Sequence, residues 1–355
     1  MRAIEQVCAV ALGSKEVEER IDEARGAAFS ISFEHEGVAY RWDAELEKPS
    51  ERQQQGNGAV PSADLPLVHT ERITRAGRLL VERTPDRFAF GDSVLPKLDR
   101  SKSAIAILKE EVTMAPVYES FSRCIDRKIL ETFPSHGVTF EKGFEDIRDR
   151  YRSLESLGAD FSLPLHFKAE ALQELFPEAF AEVSEAFREA FPSVTQLKLH
   201  RVYIPEAGQV LDSVYQIVIA ASEDGVGRWV PFPEMSSGMQ RYLSFLVHLS
   251  FAPPGTVVLI DELETSLGVN CLGPATDFLL RRAPDLQFII TSHHPYIIEK
   301  IPPENWKIVT RRGSRVRVLD AKAIPALARG RSRLDHFTRL INLPEYEQGI
   351  QGTGT

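Results

Sequence analysis

The sequence has 355 residues, a formal net charge of −9 at pH 7 and 43% hydrophobic residues. A chain of this length and composition can bury a large core, and its negative charge argues against a protein that coats nucleic acid. Its three cysteines, Cys8, Cys124 and Cys271, lie far apart without metal-ligand spacing, and no signal peptide opens the chain. A reducing, cytoplasmic location is therefore expected.

The first hundred residues predict one helix followed by antiparallel strands. Apolar residues recur at helical spacing from Met1 to Leu12, and a glycine follows. Apolar and polar residues alternate from Phe29 to Trp42 around a Glu36-Gly37 turn, which is typical of a hairpin. The alternation resumes from Val68 to Phe90, so the same sheet is expected to continue there. The polar stretch from Leu46 to Leu65 is expected to be a solvated loop.

The middle of the chain predicts helices and then two strands. Mixed charge with helical periodicity extends over Ser101 to Thr132 and over Phe144 to Leu157. The acidic stretch from Leu172 to Phe191 is also predicted to be helical. The segments from Val194 to Ile204 and from Val210 to Ala221 are predicted to be strands that lead into the segments described next.

Three short segments organise the rest of the chain. A small polar turn from Met235 to Arg241 (MSSGMQR) opens an apolar helix. An apolar run from Thr256 to Glu262 (TVVLIDE) ends in two carboxylates, and a second run from Gln287 to Pro295 (QFIITSHHP) ends in hydroxyls and imidazoles. Because a helix-length segment separates the two apolar runs, they predict neighbouring parallel strands.

The polar residues after these two runs are expected to meet. Ligands of parallel sheets bind at the carboxyl ends of the strands, where Asp261, Glu262 and His293 would emerge. Paired carboxylates at a strand end suit a metal site, because one can bind the metal while the other acts as a base. On these residues alone the alternatives stay open: Asp261 could cap a turn, Glu262 could be solvated, and Ser236 could be a plain helix N-cap.

The long apolar stretch from Leu243 to Ile260 approaches the length of a membrane span. His248 and the Pro253-Pro254-Gly255 break interrupt it. This pattern favours a helix, a turn and a strand, so no membrane partner is expected.

The last part of the chain predicts a strand pair and a helix. Lys307 to Leu319 alternates around a basic turn, Arg311 to Arg315, for which a solvated surface is the simpler interpretation and anion or DNA contact the alternative. Lys322 to Leu343 is predicted to be helical. The tail from Gln348 is expected to be disordered.

In its three organising segments the chain resembles ABC-type ATPases, and more narrowly the prokaryotic branch of RecF-like, SMC-like and overcoming-lysogenization-defect ATPases. Ser236 to Gln240 resembles the signature motif, Asp261-Glu262 the end of the Walker B strand, and Thr291 to His293 the switch histidine. The resemblance covers Val210 to Val318 and, more loosely, the first half. Many members of that branch serve phage defence, as in Septu and retron-associated systems.

This resemblance implies an α/β fold: an ABC-type P-loop NTPase lobe with a mainly parallel sheet, an antiparallel N-terminal sheet and a helical insertion subdomain. It divides the chain into four parts. Residues 1–100 would form the N-terminal part of the lobe, 101–193 the helical insertion, 194–320 the part with the three motifs, and 321–355 a C-terminal helix and tail.

The resemblance also implies that the chain binds ATP and Mg²⁺. Asp261 would hold the Mg²⁺ ion, Glu262 would orient the attacking water, and His293 would reach the γ-phosphate.

Other residues would act across a dimer of the same chain. The signature residues Ser236, Ser237 and Gly238 would contact the nucleotide held by the opposite subunit. Ser266 and Leu267 lie where the family has its D-loop, which meets the partner subunit. The function implied is that of a head-to-tail dimeric ATPase that controls a partner effector, in phage defence or DNA maintenance, with DNA as a possible further partner.

One family motif is missing from the 355 residues: no G-x-x-x-x-G-K-[ST] phosphate-binding loop occurs. The helix at Met1 resembles the segment that directly follows this loop. ATP hydrolysis is therefore expected if a strand and loop are encoded upstream of Met1, and the 355 residues alone are expected to bind ATP poorly. A non-hydrolysing scaffold is the main alternative, and a metal-dependent nuclease built on the carboxylates is a third.

Overall fold

The computed structural model describes residues 1–13, 27–47, 67–125, 130, 137–203, 214–313, 315–328 and 333–343. Contacts divide the chain into two compact units. The first unit holds Met1–Ile129, Ala252–Leu259 and Asp285–Phe288, and the second holds Leu130–Phe251, Ile260–Pro284 and Ile289–Thr355. Among the described residues, no helix is long and apolar enough to cross a membrane.

The helices and strands alternate irregularly along the chain. The helices are α1 Arg2–Leu12, α2 Ala104–Ile107, α3 Ala115–Ser122, α4 Glu141–Arg150, α5 Leu154–Ala159, α6 Leu165–Leu175, α7 Pro177–Ala190, α8 Ser237–Leu249, α9 Val269–Arg282, α10 Pro295–Lys300, α11 Pro325–Ala328 and α12 Arg333–Ile341. The strands are β1 Ala27–His35, β2 Val38–Glu47, β3 Leu67–Arg75, β4 Arg78–Arg83, β5 Phe88–Phe90, β6 Ser93–Leu95, β7 Cys124–Ile125, β8 Gly137–Phe140, β9 Val194–Tyr203, β10 Val214–Glu223, β11 Val230–Pro231, β12 Val257–Ile260, β13 Gln287–Ile290, β14 Lys307–Arg312 and β15 Arg315–Asp320.

The first unit contains a six-stranded antiparallel sheet in the order β1 to β6. The predicted hairpin is confirmed, because β1 and β2 pair in one register from Ala27 with Leu46 to His35 with Val38. Glu36 (φ 49°) and Gly37 (φ 76°) both adopt the left-handed conformation. A two-residue hairpin turn of type I′ needs positive φ at both positions, and this is why a glycine is suited to the second one.

Buried polar groups join this sheet to the helices of the first unit. Glu71 accepts hydrogen bonds from Trp42 Nε1 at 2.9 Å and from the backbone N–H of Ala104 at 2.8 Å. Ser103 Oγ donates to the carbonyl of Ala11 at 2.9 Å, which ties the end of α1 to the start of α2. Each of these polar side chains is almost fully buried, so its hydrogen bonds offset the cost of removing it from water.

A parallel sheet in the order β13–β12–β7 completes the predicted α/β architecture. In the first unit, Val257 and Val258 of β12 pair in parallel with Cys124 and Ile125 of β7. The N–H of Gln287 donates to the carbonyl of Thr256 at 2.9 Å. Gln287 is the first residue of β13, and Thr256 directly precedes β12.

The second unit contains an antiparallel sheet in which β10 pairs with β8, β9 and β11. The helices α6, α7 and α9 contact α8. All residues of α8 except Ser237 and Gln240 are buried. A helix buried on nearly every side is a core element rather than a surface helix.

The predicted strands before the signature-like turn are confirmed as β9 and β10, although β10 begins only at Val214. The prediction that residues 101–132 are helical throughout is wrong, because β7 lies between α3 and the end of that range. The predicted helix from Leu172 to Phe191 is also wrong in its bounds. α6 already begins at Leu165, and Pro177 opens the separate helix α7 because proline has no N–H to continue the previous one.

The remaining predictions for the ends of segments have mixed outcomes. Helical periodicity from Phe144 to Leu157 corresponds to α4 and α5, which are separated by Tyr151, Arg152 and the N-cap residue Ser153. The strand pair from Lys307 to Leu319 is confirmed, whereas the following helical stretch is broken into α11 and α12. The predicted loop begins too early, because Leu46 and Glu47 still belong to β2. Residues 48–65 of that loop and the tail from Gln348 lie outside the described residues. The division of the chain into four functional parts stays a prediction.

A close approach in the second unit occurs at Gly158, in α5. A Cβ atom added there would lie 2.0 Å from the carbonyl oxygen of Phe251, which is far inside van der Waals contact. The nearby carbonyls of Gly158 and Asp160 accept hydrogen bonds from the buried Lys168 ammonium, at 3.2 and 3.0 Å. The packing around the ends of α5 and α8 therefore requires a residue without a side chain at this position.

We expect Gly158→Ala to lower the free energy of unfolding by roughly 1–3 kcal/mol, because backbone atoms must move apart to admit the methyl group. In an open helix the same change is normally stabilising by up to about 1 kcal/mol. Gly227→Ala is the matched control, because no atom lies within 4 Å of a Cβ built there. Urea unfolding of both variants checks the prediction, and it fails if Gly158→Ala is as stable as Gly227→Ala.

Candidate functional site

Two neighbouring parallel strands end at the same edge in the second unit. The N–H of Thr291, directly after β13, donates to the carbonyl of Ile260, the last residue of β12, at 3.0 Å. The N–H of Leu263 in turn donates to the carbonyl of Thr291 at 3.0 Å. These bonds bring together the residues that follow the two strands, among them Asp261 and Glu262.

The hydroxyl of Thr291 binds both predicted carboxylate residues. It donates to Asp261 Oδ1 at 2.5 Å and accepts the backbone N–H of Glu262 at 2.8 Å. The motif in the sequence includes Thr291, but no role of its own is predicted for this residue. A signal for this role was available. Thr291 is a hydroxyl residue directly after one predicted strand, and the neighbouring predicted strand is followed by the two carboxylates.

Glu262 adopts an unusual backbone conformation at the start of the loop that follows β12. Its φ is 45°, in the left-handed region, and its side chain is exposed. Such a conformation costs on the order of 1–3 kcal/mol for a residue other than glycine and is frequent at functional sites. Thr265 stabilises it by donating its N–H to the Glu262 carbonyl at 2.8 Å and its hydroxyl to Glu262 Oε2 at 3.0 Å.

The backbone of His293 is hydrogen-bonded to the loop that follows β12. Its N–H donates to Glu264 Oε1 at 2.6 Å, and its own side chain is exposed. Burial by itself would raise the pKa of Glu264, but the backbone N–H groups of His293 and Glu264 outweigh it and hold the pKa below its usual value. The Glu264 carboxylate is therefore ionised at neutral pH. In the sequence, Glu264 is only the first residue of the D-loop-like segment, and no role is predicted for it.

His294 has a different role from His293. Its Nδ1 accepts the N–H of Tyr296 at 3.2 Å and so caps α10, and its own N–H donates to Ser292 Oγ at 3.1 Å. His294 thus provides a hydrogen-bond acceptor for a backbone N–H in the first turn of α10. His293 is the exposed imidazole of the pair.

The signature-like turn begins the buried helix α8. Ser236 is the exposed N-cap residue, and its side chain accepts the N–H of Met239 at 3.3 Å. Ser237 is also exposed and donates its hydroxyl to the carbonyl of Ser266 at 3.3 Å. Gly238 is buried at a point where a Cβ would lie 3.3 Å from the Gly268 nitrogen.

The predicted D-loop residues lie next to this turn. Ser266 has a φ of 65°, the second left-handed residue of the loop, and Leu267 is almost buried. Cys271, in the first turn of α9, donates its thiol to the Gly238 carbonyl at 3.6 Å. Burial raises the pKa of this thiol to about 12, so it remains protonated and able to donate.

Arg241 connects α8 to the same loop. Its side chain is 2% exposed and donates to the carbonyl oxygens of Thr265 and Asp261, the latter at 3.5 Å. In the sequence this arginine is only the last residue of the signature-like turn, and no role is predicted for it. A charge in an otherwise apolar helix was the available signal, because a buried guanidinium needs hydrogen-bond partners.

No cluster of three or more His, Cys, Asp or Glu with metal-binding geometry is present in the described part of the chain. The site instead combines two adjacent carboxylates, a bridging hydroxyl and an exposed imidazole.

Comparison with known proteins identifies the family. The family described as "AAA domain, putative AbiEii toxin, Type IV TA system" matches residues 15–299. The chain belongs to this AAA-domain family. The match includes the signature-like turn and both the carboxylate and the histidine segments.

Solved structures of SMC head domains and of an SMC ATPase match this chain at low sequence identity. An SMC head bound to the C-terminal winged-helix domain of ScpA is 13% identical, with 90% of this chain and 85% of that chain covered and a TM-score of 0.45. A Pyrococcus furiosus SMC head with an extended coiled coil is 15% identical, with 90% and 87% covered and a TM-score of 0.34. An SMC ATPase studied for ATP-driven dimerization is 18% identical over 43% of this chain and 88% of that one, with a TM-score of 0.32. A search of the curated proteins finds no match.

We expect Thr291→Val to destabilise the protein by roughly 1–3 kcal/mol, because it leaves the Glu262 N–H and the Asp261 carboxylate without their shared hydroxyl. Thr291→Ser keeps the hydroxyl and is the matched control. Urea unfolding of both variants measures the difference. Equal stability of the valine and serine variants would contradict the arrangement described.

Arg241→Met should loosen the loop from Asp261 to Gly268, because it removes the guanidinium that donates to the carbonyls of this loop. Methionine keeps most of the buried volume, so packing changes little. Hydrogen–deuterium exchange should increase in the peptide that contains this loop. Arg228→Met is the control, because Arg228 is exposed and its ion pair is with the equally exposed Glu234. Unchanged exchange in the Arg241 variant would show that this contact does not hold the loop.

Proposed function

We propose that this protein binds and hydrolyses ATP as an ABC-type ATPase of the overcoming-lysogenization-defect-like branch, acting as a head-to-tail homodimer that controls a partner effector. The observation that carries this proposal is the pair Asp261 and Glu262, held by the Thr291 hydroxyl at the ends of two parallel strands. Family membership supports it, because an AAA domain is an ATP-binding domain.

The residues at this edge fit a magnesium ion. Mg²⁺ prefers oxygen ligands and keeps several waters, so one or two protein carboxylates suffice to hold it. Asp261 is half-buried directly after β12 and is oriented by Thr291. We assign it as the Mg²⁺ ligand, directly or through water. When bound, the ion would supply charge neutralisation at the phosphates of ATP.

Glu262 fits the role of the residue that orients and polarises the attacking water. Its carboxylate is exposed, and one of its oxygens accepts the Thr265 hydroxyl, which limits the directions the other can face. A general base needs this combination of solvent access and fixed position. We assign His293 to the γ-phosphate, since its exposed imidazole follows the neighbouring strand.

The start of α8 fits an anion supplied by a second subunit. Ser236 and Ser237 are exposed hydroxyls at the N-terminus of a long helix, where backbone N–H groups and the helix dipole favour negative charge. Two copies facing each other would place this helix start, with Gly238, against the nucleotide of the other copy, and Ser266 and Leu267 would lie in the same two-fold interface.

The effector and the pathway are proposed on the family's description. It names a toxin of a type IV toxin–antitoxin system, which supports a cytoplasmic role in phage defence or in DNA maintenance. DNA is a further partner, proposed on the resemblance of the three motifs to the RecF-like and SMC-like branch.

A non-hydrolysing scaffold is the second candidate, and it applies if the full protein has no phosphate-binding loop. The 355 residues contain no G-x-x-x-x-G-K-[ST] loop, which in this family supplies the lysine and most backbone donors to the β- and γ-phosphates. Calorimetry with ATP on the protein expressed from its natural gene separates the candidates. Binding in the micromolar range supports the ATPase, and no binding at millimolar ATP supports the scaffold.

Glu262→Gln should retain ATP binding and lower the hydrolysis rate at least about 100-fold, because the Mg²⁺ ligand remains and the base is lost. Glu304→Gln, which changes an exposed glutamate of another segment, is the control and should hydrolyse ATP at the unchanged rate. A steady-state phosphate-release assay and a binding isotherm measure the two properties. Full activity of the Glu262 variant would overturn the assigned role.

Ser236→Arg should also abolish hydrolysis while the subunit stays folded, because the position is an exposed helix start. Mixing this variant with Glu262→Gln tests whether each active site is built from both subunits. In a mixed dimer, one site then combines an unchanged Glu262 with an unchanged Ser236, and the other site contains both substitutions. With random exchange of subunits, hydrolysis should return to about one quarter of the wild-type rate. Wild-type activity of Ser236→Arg alone, or no recovery on mixing, would contradict the head-to-tail arrangement.

A further inference from the structure

His293 lies in a short connection between a strand and a helix. The segment from Thr291 to His294 belongs to neither, and it joins the end of β13 to the start of α10. The imidazole of His293 is exposed, so the point from which it projects is set by the backbone of this segment. A side chain that meets a ligand at a fixed place needs hydrogen bonds from outside such a segment to hold that backbone.

The end of β12 and the loop that follows it hold this segment. Thr291 is held through its backbone N–H, its carbonyl and its hydroxyl. His293 is held through its N–H, which donates to Glu264 Oε1 at 2.6 Å. The next N–H, that of His294, stays within the segment and donates to Ser292 Oγ at 3.1 Å. Glu264 therefore ties the backbone of His293 to the loop that carries the assigned carboxylates.

Glu264 is itself fixed in place. Its carbonyl accepts the N–H of Leu267 at 3.1 Å, and the preceding Leu263 is 1% exposed. Its carboxylate also interacts with the Ser292 hydroxyl, so it contacts two neighbouring residues of the segment. Bonds to an ionised acceptor are shorter and roughly twice as strong as bonds between neutral groups, and the bond to His293 is short for an N–H donor. The loop can therefore impose its geometry on the segment.

The carboxylate of Glu264 is poorly placed for chemistry of its own. One oxygen accepts the N–H of His293, and the other, Oε2, is shielded from solvent. A general base or a magnesium ligand needs an accessible oxygen, such as the exposed side chain of Glu262 provides. Two glutamates of one loop thus have different surroundings.

We propose that Glu264 is the positioning residue for His293. Its carboxylate fixes the backbone from which the imidazole reaches the γ-phosphate, and it takes no part in the reaction itself. A displacement of about 1 Å can lower a rate on the order of 100-fold, so loss of this bond should slow hydrolysis. The inference rests on the proposed function, because the assignment of His293 to the γ-phosphate belongs to that function.

The first experiment measures the bond itself and needs no nucleotide. In the protein expressed from its natural gene with isotope-labelled histidine, NMR follows exchange of the His293 amide with solvent, and His293→Gln assigns its signal. Glu264→Met fills a similar space without an acceptor and should speed this exchange at least about tenfold. Glu264→Gln keeps an acceptor in the same shape and should stay within about threefold of the wild type. The amide of His248, inside α8, should not change.

The second experiment measures steady-state hydrolysis of ATP. Glu264→Met should lower kcat at least about tenfold and leave KM within about twofold, because charge develops at the γ-phosphate in the transition state. Glu264→Gln should retain at least about one third of the wild-type kcat, whereas a base or metal ligand would lose its function in both variants. Asp99→Ala is the control and should leave kcat unchanged. It removes a carboxylate bond of the same kind in the first unit, to the N–H of Ser101 at 2.9 Å.

A double-mutant cycle with His293→Ala separates positioning from general destabilisation. Without the imidazole there is nothing left to position, so Glu264→Met should then lower kcat less than about twofold. A role in stability alone would lower kcat by the same factor in both backgrounds. Thermal unfolding should give matching midpoints for the methionine and glutamine variants, and Glu264→Ala replaces Glu264→Met if the latter is unfolded.

The proposal is overturned by unchanged exchange of the His293 amide in Glu264→Met, by equal loss of kcat in the methionine and glutamine variants, or by equal factors in the cycle. Absence of hydrolysis by the wild-type protein is a different failure. It overturns the proposed function, and the role of Glu264 in hydrolysis with it.

Discussion

A single hydroxyl at the end of one strand fixes the geometry of the candidate site. Thr291 donates to the carboxylate of Asp261 and accepts from the backbone of Glu262, so two consecutive residues of one strand end depend on one residue of the next. The constraint also explains how Glu262 can remain in a left-handed conformation, because its N–H and its carbonyl are both hydrogen-bonded. The fold thus stabilises a backbone conformation that is unfavourable for this residue type.

The loop after β12 is held from a second side by the buried helix α8. Arg241 binds two of its carbonyls, Ser237 binds a third, and Gly238 permits close approach of the two backbones. The helix that carries the signature-like turn and the loop that carries the carboxylates are therefore one packed assembly. In the proposed dimer, a ligand bound at the start of α8 in one subunit would therefore lie next to the loop after β12 of that same subunit.

Local patterns predicted most of the secondary structure. Alternation identified the hairpin at Glu36 and the strand pair from Lys307, and helical spacing identified α1 and α8, because each extends over enough residues for its period to be visible. The strands β7 and β8 were missed because they are too short to show alternation, and β7 is a strand only through its pairing with β12. The break at Pro177 could have been predicted from the known effect of proline on helices.

The sequence by itself determined which candidate groups this protein has: the order of the three motifs, the two carboxylates, the serines at a helix start and the histidine after a strand. Each of these is a local property of neighbouring residues. Only the tertiary structure decided that Thr291 orients both carboxylate residues, that Arg241 holds the loop, and that Glu264 binds the backbone of His293. The physical reason is that these relations depend on contacts between residues far apart in the chain, and local periodicity contains no information about such contacts.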